Sequence, residues 1–311
     1  MPARSPRGSA LSLALALALV TACGSSGGQD ADADRRSDSA QRLNVVASTD
    51  VYGSIAERIG GDQVQVTSII DNASADPLEY EATPADARAV GNADLVVFNG
   101  NGYDEFMPRL IATSQGVRSV LNVTELSGLA PSAEAAGEEF NEHVWYSLDT
   151  VQSLAMTLAA EMGEARPAAA SAFTDRATAF ARDIDALQQQ VADIAGKHKG
   201  ARIAVTEPLA NYLLEDAQLD NVAPQDFQEA IEEGDDPSAE VLQQMLALFG
   251  EDPVSALVLN TQTQSAVTDQ VVQAAQKAGV PVLRMSETLT SPSYIEWMGG
   301  QIGALAAALE S

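Results

Sequence analysis

A chain of 311 residues with 44 acidic and 17 basic side chains carries a formal charge of −27, which sets it against polyanions. Nucleic acid and anionic lipid headgroups would be repelled, whereas a cationic ligand is compatible with the charge but not selected by it. One cysteine excludes an intramolecular disulfide, so the fold must be held by its core.

The chain opens with Arg4 and Arg7 and then "LSLALALALV". That apolar run falls well short of the roughly 20 residues a membrane-spanning helix needs. It has the charged and apolar regions of a secretory signal, assigned to 1–22. The small residues of "VTAC" before Cys23 resemble a bacterial lipobox. The resemblance implies lipidation of Cys23 and anchoring, without spanning, at the outer face of the bacterial cytoplasmic membrane. Loss of Arg4 and Arg7 with the signal would make the mature chain more acidic still. Residues 23–42, "CGSSGGQDADADRRSDSAQR", are too poor in apolar groups to order themselves and read as a flexible tether.

From Leu43 the pattern changes. "RLNVVAS" reads as a strand, followed by a helix around Val51 to Ile59, and "QVQVTSII" reads as a second strand. "TPADARAVG" is a short helix with Thr83 as N-cap and Pro84 in its first position. "ADLVVFNG" is a buried strand ending in a Gly-containing loop, and "VRSVLNVT" another strand. Leu148 to Met162 is helical. From Pro167 to about Lys199, Phe173, Ala177, Phe180, Ile184, Leu187, Val191 and Ile194 form one apolar stripe at three- and four-residue steps. At 1.5 Å per residue that helix would run about 45 Å, enough to cross between two lobes. A second alternation follows: strand "ARIAV", a helix near Asn211 to Asp216, a capped helix in "DPSAEVLQQMLALFG", strand "SALVLN", helix "SAVTDQVVQAAQKAG", strand "VPVLRM", and a last helix from about Pro292 to Leu309. The expected fold is α/β: two lobes, 43–165 and 200–311, each a mainly parallel sheet flanked by helices, joined by one long rigid helix at 166–199. In such sheets ligands sit beyond the carboxyl ends of the strands.

"VVASTDVYGSIAERIGGDQVQVTSII" and "DPLEYEATPADARAVGNADLVVFNG" resemble the metal-binding lipoproteins of bacterial zinc and manganese ABC importers, the cluster A-I (cluster 9) substrate-binding proteins. So do "NEHVWYSLDTVQSLA", "IAVTEPLANYLLEDAQL", "DDPSAEVLQQM" and "GVPVLRMSETL", in the family's order. The resemblance implies two α/β lobes bridged by a rigid helix, with Mn²⁺ or Zn²⁺ carried in the cleft as cargo. It also implies delivery of that cargo to an ABC permease served by a cytoplasmic ATPase. A monomer is expected, and nucleic acid is not expected as a partner.

The resemblance also implies four ligand positions. The first, usually a histidine after Asp-Pro, is Leu78 here, which cannot bind metal. The second is His143, the third Glu207 and the fourth Glu287. Glu79 or Asp76 could supply the missing oxygen from a re-aimed loop, water could fill the position, or the site could have lost transition-metal binding. Glu81 is a poorer substitute, because the resembling motif already carries an acid there without using it. Two buried carboxylates without a cation would suffer desolvation and mutual repulsion, which a dication removes. Oxygen-rich donors tilt the site towards Mn²⁺, while affinity order favours Zn²⁺. His198 is expected to be a solvated capping residue, Trp145 packing near the cleft, and Asn260 a residue behind the ligands. The competing reading is a surface adhesion or interaction lipoprotein of the same fold with a degenerate metal site. Catalysis is not expected, since neither a Gly-x-Ser-x-Gly elbow nor a His-Glu-x-x-His motif occurs.

Overall fold

The computed structural model describes residues 42–72, 75–131, 133 and 140–311. The signal, Cys23 and the tether lie outside the described residues, except for Arg42. None of the described helices is long and apolar enough to cross a membrane.

The first half runs β1 (Leu43–Thr49), α1 (Asp50–Gly60), β2 (Val64–Ile70), α2 (Pro84–Gly91), β3 (Leu95–Phe98), α3 (Phe106–Thr113), β4 (Ser119–Asn122) and α4 (Val123–Ser127). After α5 (Leu148–Ala165), the 29-residue α6 (Ala170–His198) leads to the second half. That half comprises β5 (Arg202–Val205), α7 (Asn211–Asp216), β6 (Asp220–Asn221), α8 (Gln225–Glu232), α9 (Ala239–Ala247), β7 (Ala256–Asn260), α10 (Ala266–Ala278), β8 (Val282–Met285) and α11 (Tyr294–Leu309). Each half builds one four-stranded sheet, ordered β2-β1-β3-β4 and β6-β5-β7-β8. Every pairing in both is parallel. Parallel strands buried on both faces need apolar residues at nearly every position, and β3 and β7 are buried throughout.

Local chemistry accounts for the helix boundaries. Thr83 caps α2 by accepting from Ala85 N and Asp86 N, while Asp86 accepts from Thr83 N in return, a reciprocal capping box with Pro84 in the first turn. Ser238, Ser265 and Ser293 cap α9, α10 and α11 by accepting from the N–H three residues on, and at Ser265 the Thr268 hydroxyl returns the bond. Pro167 begins a short 3-10 turn rather than the long helix itself, whose α-helical body starts three residues later at Ala170. All seven residues of the expected stripe on α6 are buried.

That stripe shares one continuous apolar core with Val45 and Ile55 of the first half and Ile203, Leu283 and Trp297 of the second. The last helix, expected within the second lobe, packs on α6 and reaches α1. Tyr294 seals the contact: its N–H donates to Ser54 Oγ at 3.0 Å and its hydroxyl to the Trp145 carbonyl at 2.8 Å. The second sheet is thus fastened to the first by the bridging helix and by the returning chain end, which leaves the cleft between them a firm frame.

Candidate metal centre

The second sheet builds most of the site. Glu207 and Glu287 each lie two residues past the last residue of a strand, β5 and β8. Strand order puts β7 between them, and its last residue is Asn260. The Asn260 carboxamide Nδ2 donates to Glu207 Oε1 and, at 2.6 Å, to Glu287 Oε1, so one side chain gathers both carboxylates. Thr263 Oγ1 donates to the other Glu207 oxygen at 2.7 Å.

The first half supplies the imidazole and a phenol. His143 precedes a 3-10 turn, Val144–Tyr146, that leads into α5, rather than following a strand. Its Nδ1 lies 2.8 Å from Asn141 Oδ1, which fixes the ring. Tyr103 donates its hydroxyl to Glu287 Oε2 at 2.9 Å, across the cleft. Tyr103 is delivered by the loop Asn99–Asp104, in which Gly100, Asn101 and Gly102 all have positive φ. The Asp104 carboxylate closes that loop by accepting from Asn99 N at 2.7 Å and Gly100 N at 2.8 Å. Trp145 packs behind, with ring centroids 4.6 Å from Tyr103 and 5.1 Å from His143.

Donor atoms of His143, Glu207 and Glu287 lie within 4.8 Å of one another. The three residues are only 2%, 2% and 4% exposed. A second group, Glu142, His143 and Glu232, meets the same distance limit. Glu232 Oε1 is buried without a hydrogen-bond partner, 3.6 Å from His143 Nδ1. Burial drives the electrostatics. Desolvation, then the charge of Glu287, pushes the Glu207 carboxyl up to about 8 against the opposing hydrogen bonds of Thr263 and Asn260. Glu287 rises to about 7, through desolvation and the charges of Asp76 and Glu142, opposed by Asn260 and Tyr103. Desolvation lowers His143 to about 3, leaving a neutral ring with a lone pair to give at neutral pH. The arrangement therefore offers one nitrogen and two carboxylates whose like charges are costly until a cation enters.

The structure places the remaining candidates as follows. Leu78 is 41% exposed, on the segment between β2 and α2. Glu79 is exposed beside it and stands outside both donor groups. Asp76 is half-buried, and with Leu78 and Glu79 lines a cavity of about 1300 Å³ that also receives Glu142, Glu232 and Thr263. His198 ends α6 and belongs to neither donor group. Sequence reasoning did not find Tyr103, Thr263, Asn141 or Glu232. Only Tyr103 left a trace, in the "NGNGYD" loop after a buried strand.

The family model of ZnuA, "Zinc-uptake complex component A periplasmic", matches residues 45–308. Among sequence relatives, the manganese-binding lipoprotein MntA of Bacillus subtilis is 30% identical over 173 residues, 53% of this chain and 55% of the relative. MntA of Halalkalibacterium halodurans is 28% identical over 157 residues, 50% of this chain and 51% of the relative. The chain thus spans about half the length of the sequence relatives it matches. Among solved structures, the periplasmic zinc-binding protein TroA of Treponema pallidum superposes with a TM-score of 0.72 at 20% identity, covering 86% of this chain and 99% of that one. The substrate-binding protein FpvC of Pseudomonas aeruginosa, in complex with Mn²⁺, gives 0.69 at 25% identity, covering 86% and 98%. With nearly the whole folded region matched, the chain belongs to the ZnuA family.

Proposed function

We propose that the protein captures a divalent metal ion, Mn²⁺ or Zn²⁺, between its two sheets and delivers it to an ABC permease powered by a cytoplasmic ATPase. The observation that carries this reading is the buried meeting of His143, Glu207 and Glu287. The charged groups acting on the two carboxylates are themselves acids, Glu287 on Glu207 and Asp76 and Glu142 on Glu287. A dication bound by all three would turn repulsion into attraction, and the neutral imidazole would add a nitrogen donor. The relatives named for manganese and zinc support the same cargo.

In this reading His143, Glu207 and Glu287 are ligands, and Asn260, Tyr103, Thr263 and Asn141 orient them. Outer partners of this kind fix ligand geometry and commonly change affinity 10–100-fold when lost. Glu79 faces solvent from the first-lobe segment and would need that segment to turn inward before it could serve as the substitute donor. Lipidation of Cys23 would keep the receptor beside its permease, acting as a binding protein without catalysis and as a monomer. A kept cluster of buried donors favours cargo binding over a fold retained for adhesion. The test is calorimetric titration of chelator-stripped protein with Mn²⁺ and Zn²⁺. Binding far tighter than millimolar is expected; neither ion binding below that range would refute the reading.

A further inference from the structure

The donor that the resemblance expects from the first lobe is replaced by Leu78, and the structure contains a device that bears on what takes its place. Gln262 follows Asn260 by two residues, and its N–H donates to Asn260 Oδ1 at 3.0 Å. Its side-chain oxygen accepts from Glu287 N at 2.7 Å and from Thr288 N at 3.2 Å, clamping the turn that presents the Glu287 carboxylate. Its Nε2 points the other way and donates to the Ala75 carbonyl at 3.4 Å. Ala75 and Asp76 belong to the first-lobe segment between β2 and α2 that carries Leu78. One carboxamide therefore grips a ligand turn of the second lobe and the first-lobe segment lacking its histidine.

Asp76 is the residue this grip brings forward. One of its oxygens accepts from Leu78 N at 2.9 Å, which bends the segment and leaves the second oxygen for other use. It is half-buried, whereas Glu79 and Glu81 are exposed. It stands outside both donor groups, as Glu79 does, but lines one cavity with Thr263, whose hydroxyl holds Glu207 at 2.7 Å.

We propose that Gln262 is a positioning residue of the ion site, fastening the Glu287 turn to the Ala75–Asp76 segment so that Asp76 serves as the first-lobe oxygen donor. The proposal rests on the metal-capture reading above. A carboxylate in place of the absent histidine makes the donor set one nitrogen with three carboxylates. Gln262 adds no charge; it orders two walls that must close on the same ion.

The experiment uses the full chain, stripped with chelator, and compares Gln262→Ala, Asp76→Asn and the double variant with wild type. Mn²⁺ affinity is measured by calorimetry and Mn²⁺ release by rapid mixing with excess chelator. Amide exchange of residues 75–80 is followed in the loaded protein. Each single change is expected to weaken Mn²⁺ binding about tenfold or more. Gln262→Ala should also speed release and amide exchange at 75–80, with the metal-free melting temperature little altered. Because Gln262 acts in part through Asp76, the double variant should lose clearly less than the product of the two single losses. Losses that multiply, or unchanged affinity in Gln262→Ala, would overturn the proposal. If Gln262→Ala does not fold, Asp76→Asn decides alone, being isosteric and able to accept from Leu78 N; undiminished affinity would then reject Asp76 as donor. A wild-type chain that binds neither Mn²⁺ nor Zn²⁺ would instead remove the metal reading on which this one stands.

Discussion

Replacing Glu207 by glutamine should stabilise the metal-free protein and disable the loaded one. The Glu207 and Glu287 donor atoms are no more than 4.8 Å apart. At an effective dielectric of about 20, two full charges at that distance repel by roughly 3 kcal/mol. The sign of the pH dependence follows from the carboxyls being raised. Their unfolded value is 4.5, and the native ones lie near 8 and 7, so the native state holds protons that the unfolded state has lost. Stability from this source is complete below 4.5 and is lost as pH climbs through 7 to 8. His143 works in the opposite sense, adding stability as pH rises from about 3 to 6.5, and has finished by then. Between pH 6.5 and 8.5 His143 no longer contributes, but Glu232, pushed up to about 9 by burial and then by the neighbouring acids, adds to Glu207 and Glu287, and metal-free wild type should lose about 1.4 kcal/mol per pH unit for each proton fully linked. Glu207→Gln removes one charge, flattens that slope and should raise the metal-free melting temperature at pH 8 by several degrees. Wild type should gain about 2.7 kcal/mol from ion at a hundredfold excess over Kd, and the variant far less. The assay is thermal unfolding across that pH range with chelator and then with Mn²⁺. A variant less stable than wild type at pH 8 without metal, with the same pH slope, would refute the claim that repulsion governs the empty cleft.

His143→Ala should abolish or greatly weaken the metal-induced rise in melting temperature, while His198→Ala, at the end of α6, leaves it unchanged; a shift indifferent to both would count against the site. Leu78→His should tighten Mn²⁺ or Zn²⁺ binding in calorimetry, because it adds a nitrogen donor on the first-lobe segment, and no gain would show that a side chain at position 78 does not reach the ion. Gly100→Ala should destabilise the fold, since φ is +89° there and an added Cβ would collide with the Asn122 carboxamide; denaturant melts should show a loss of about 1–3 kcal/mol, together with weaker Mn²⁺ binding as Tyr103 shifts. Phe180→Ala should cost about 3–5 kcal/mol of stability by emptying a fully packed position on the bridging helix, read by the same melts.

The two-sheet fold was legible because its signals are local. The seven-residue stripe on α6, the Thr83-Pro84 start of α2 and the apolar runs of β3 and β7 each announce their element within a few residues. Elements whose reason is distant were missed. The α3 helix follows the turn closed by Asp104, α8 presses Phe227 and Ile231 into a small core of the second half, and β6 is two residues long. At the site, His143, Glu207 and Glu287 could be named by position in recognisable motifs. Their mutual approach was expected through the resemblance alone, because what produces it is distant in the chain: β7 lies between β5 and β8, and Asn260 spans the gap. Tyr103 and Glu232 come from segments with no motif of their own, and only the folded cleft brings them to His143 and Glu287.

The most direct test is a crystal of the Mn²⁺-loaded protein with the ion located by anomalous scattering. One strong peak is expected, coordinated by the His143 imidazole and the Glu207 and Glu287 carboxylates. A peak elsewhere, or an ion that leaves either carboxylate uncoordinated, would contradict that expectation.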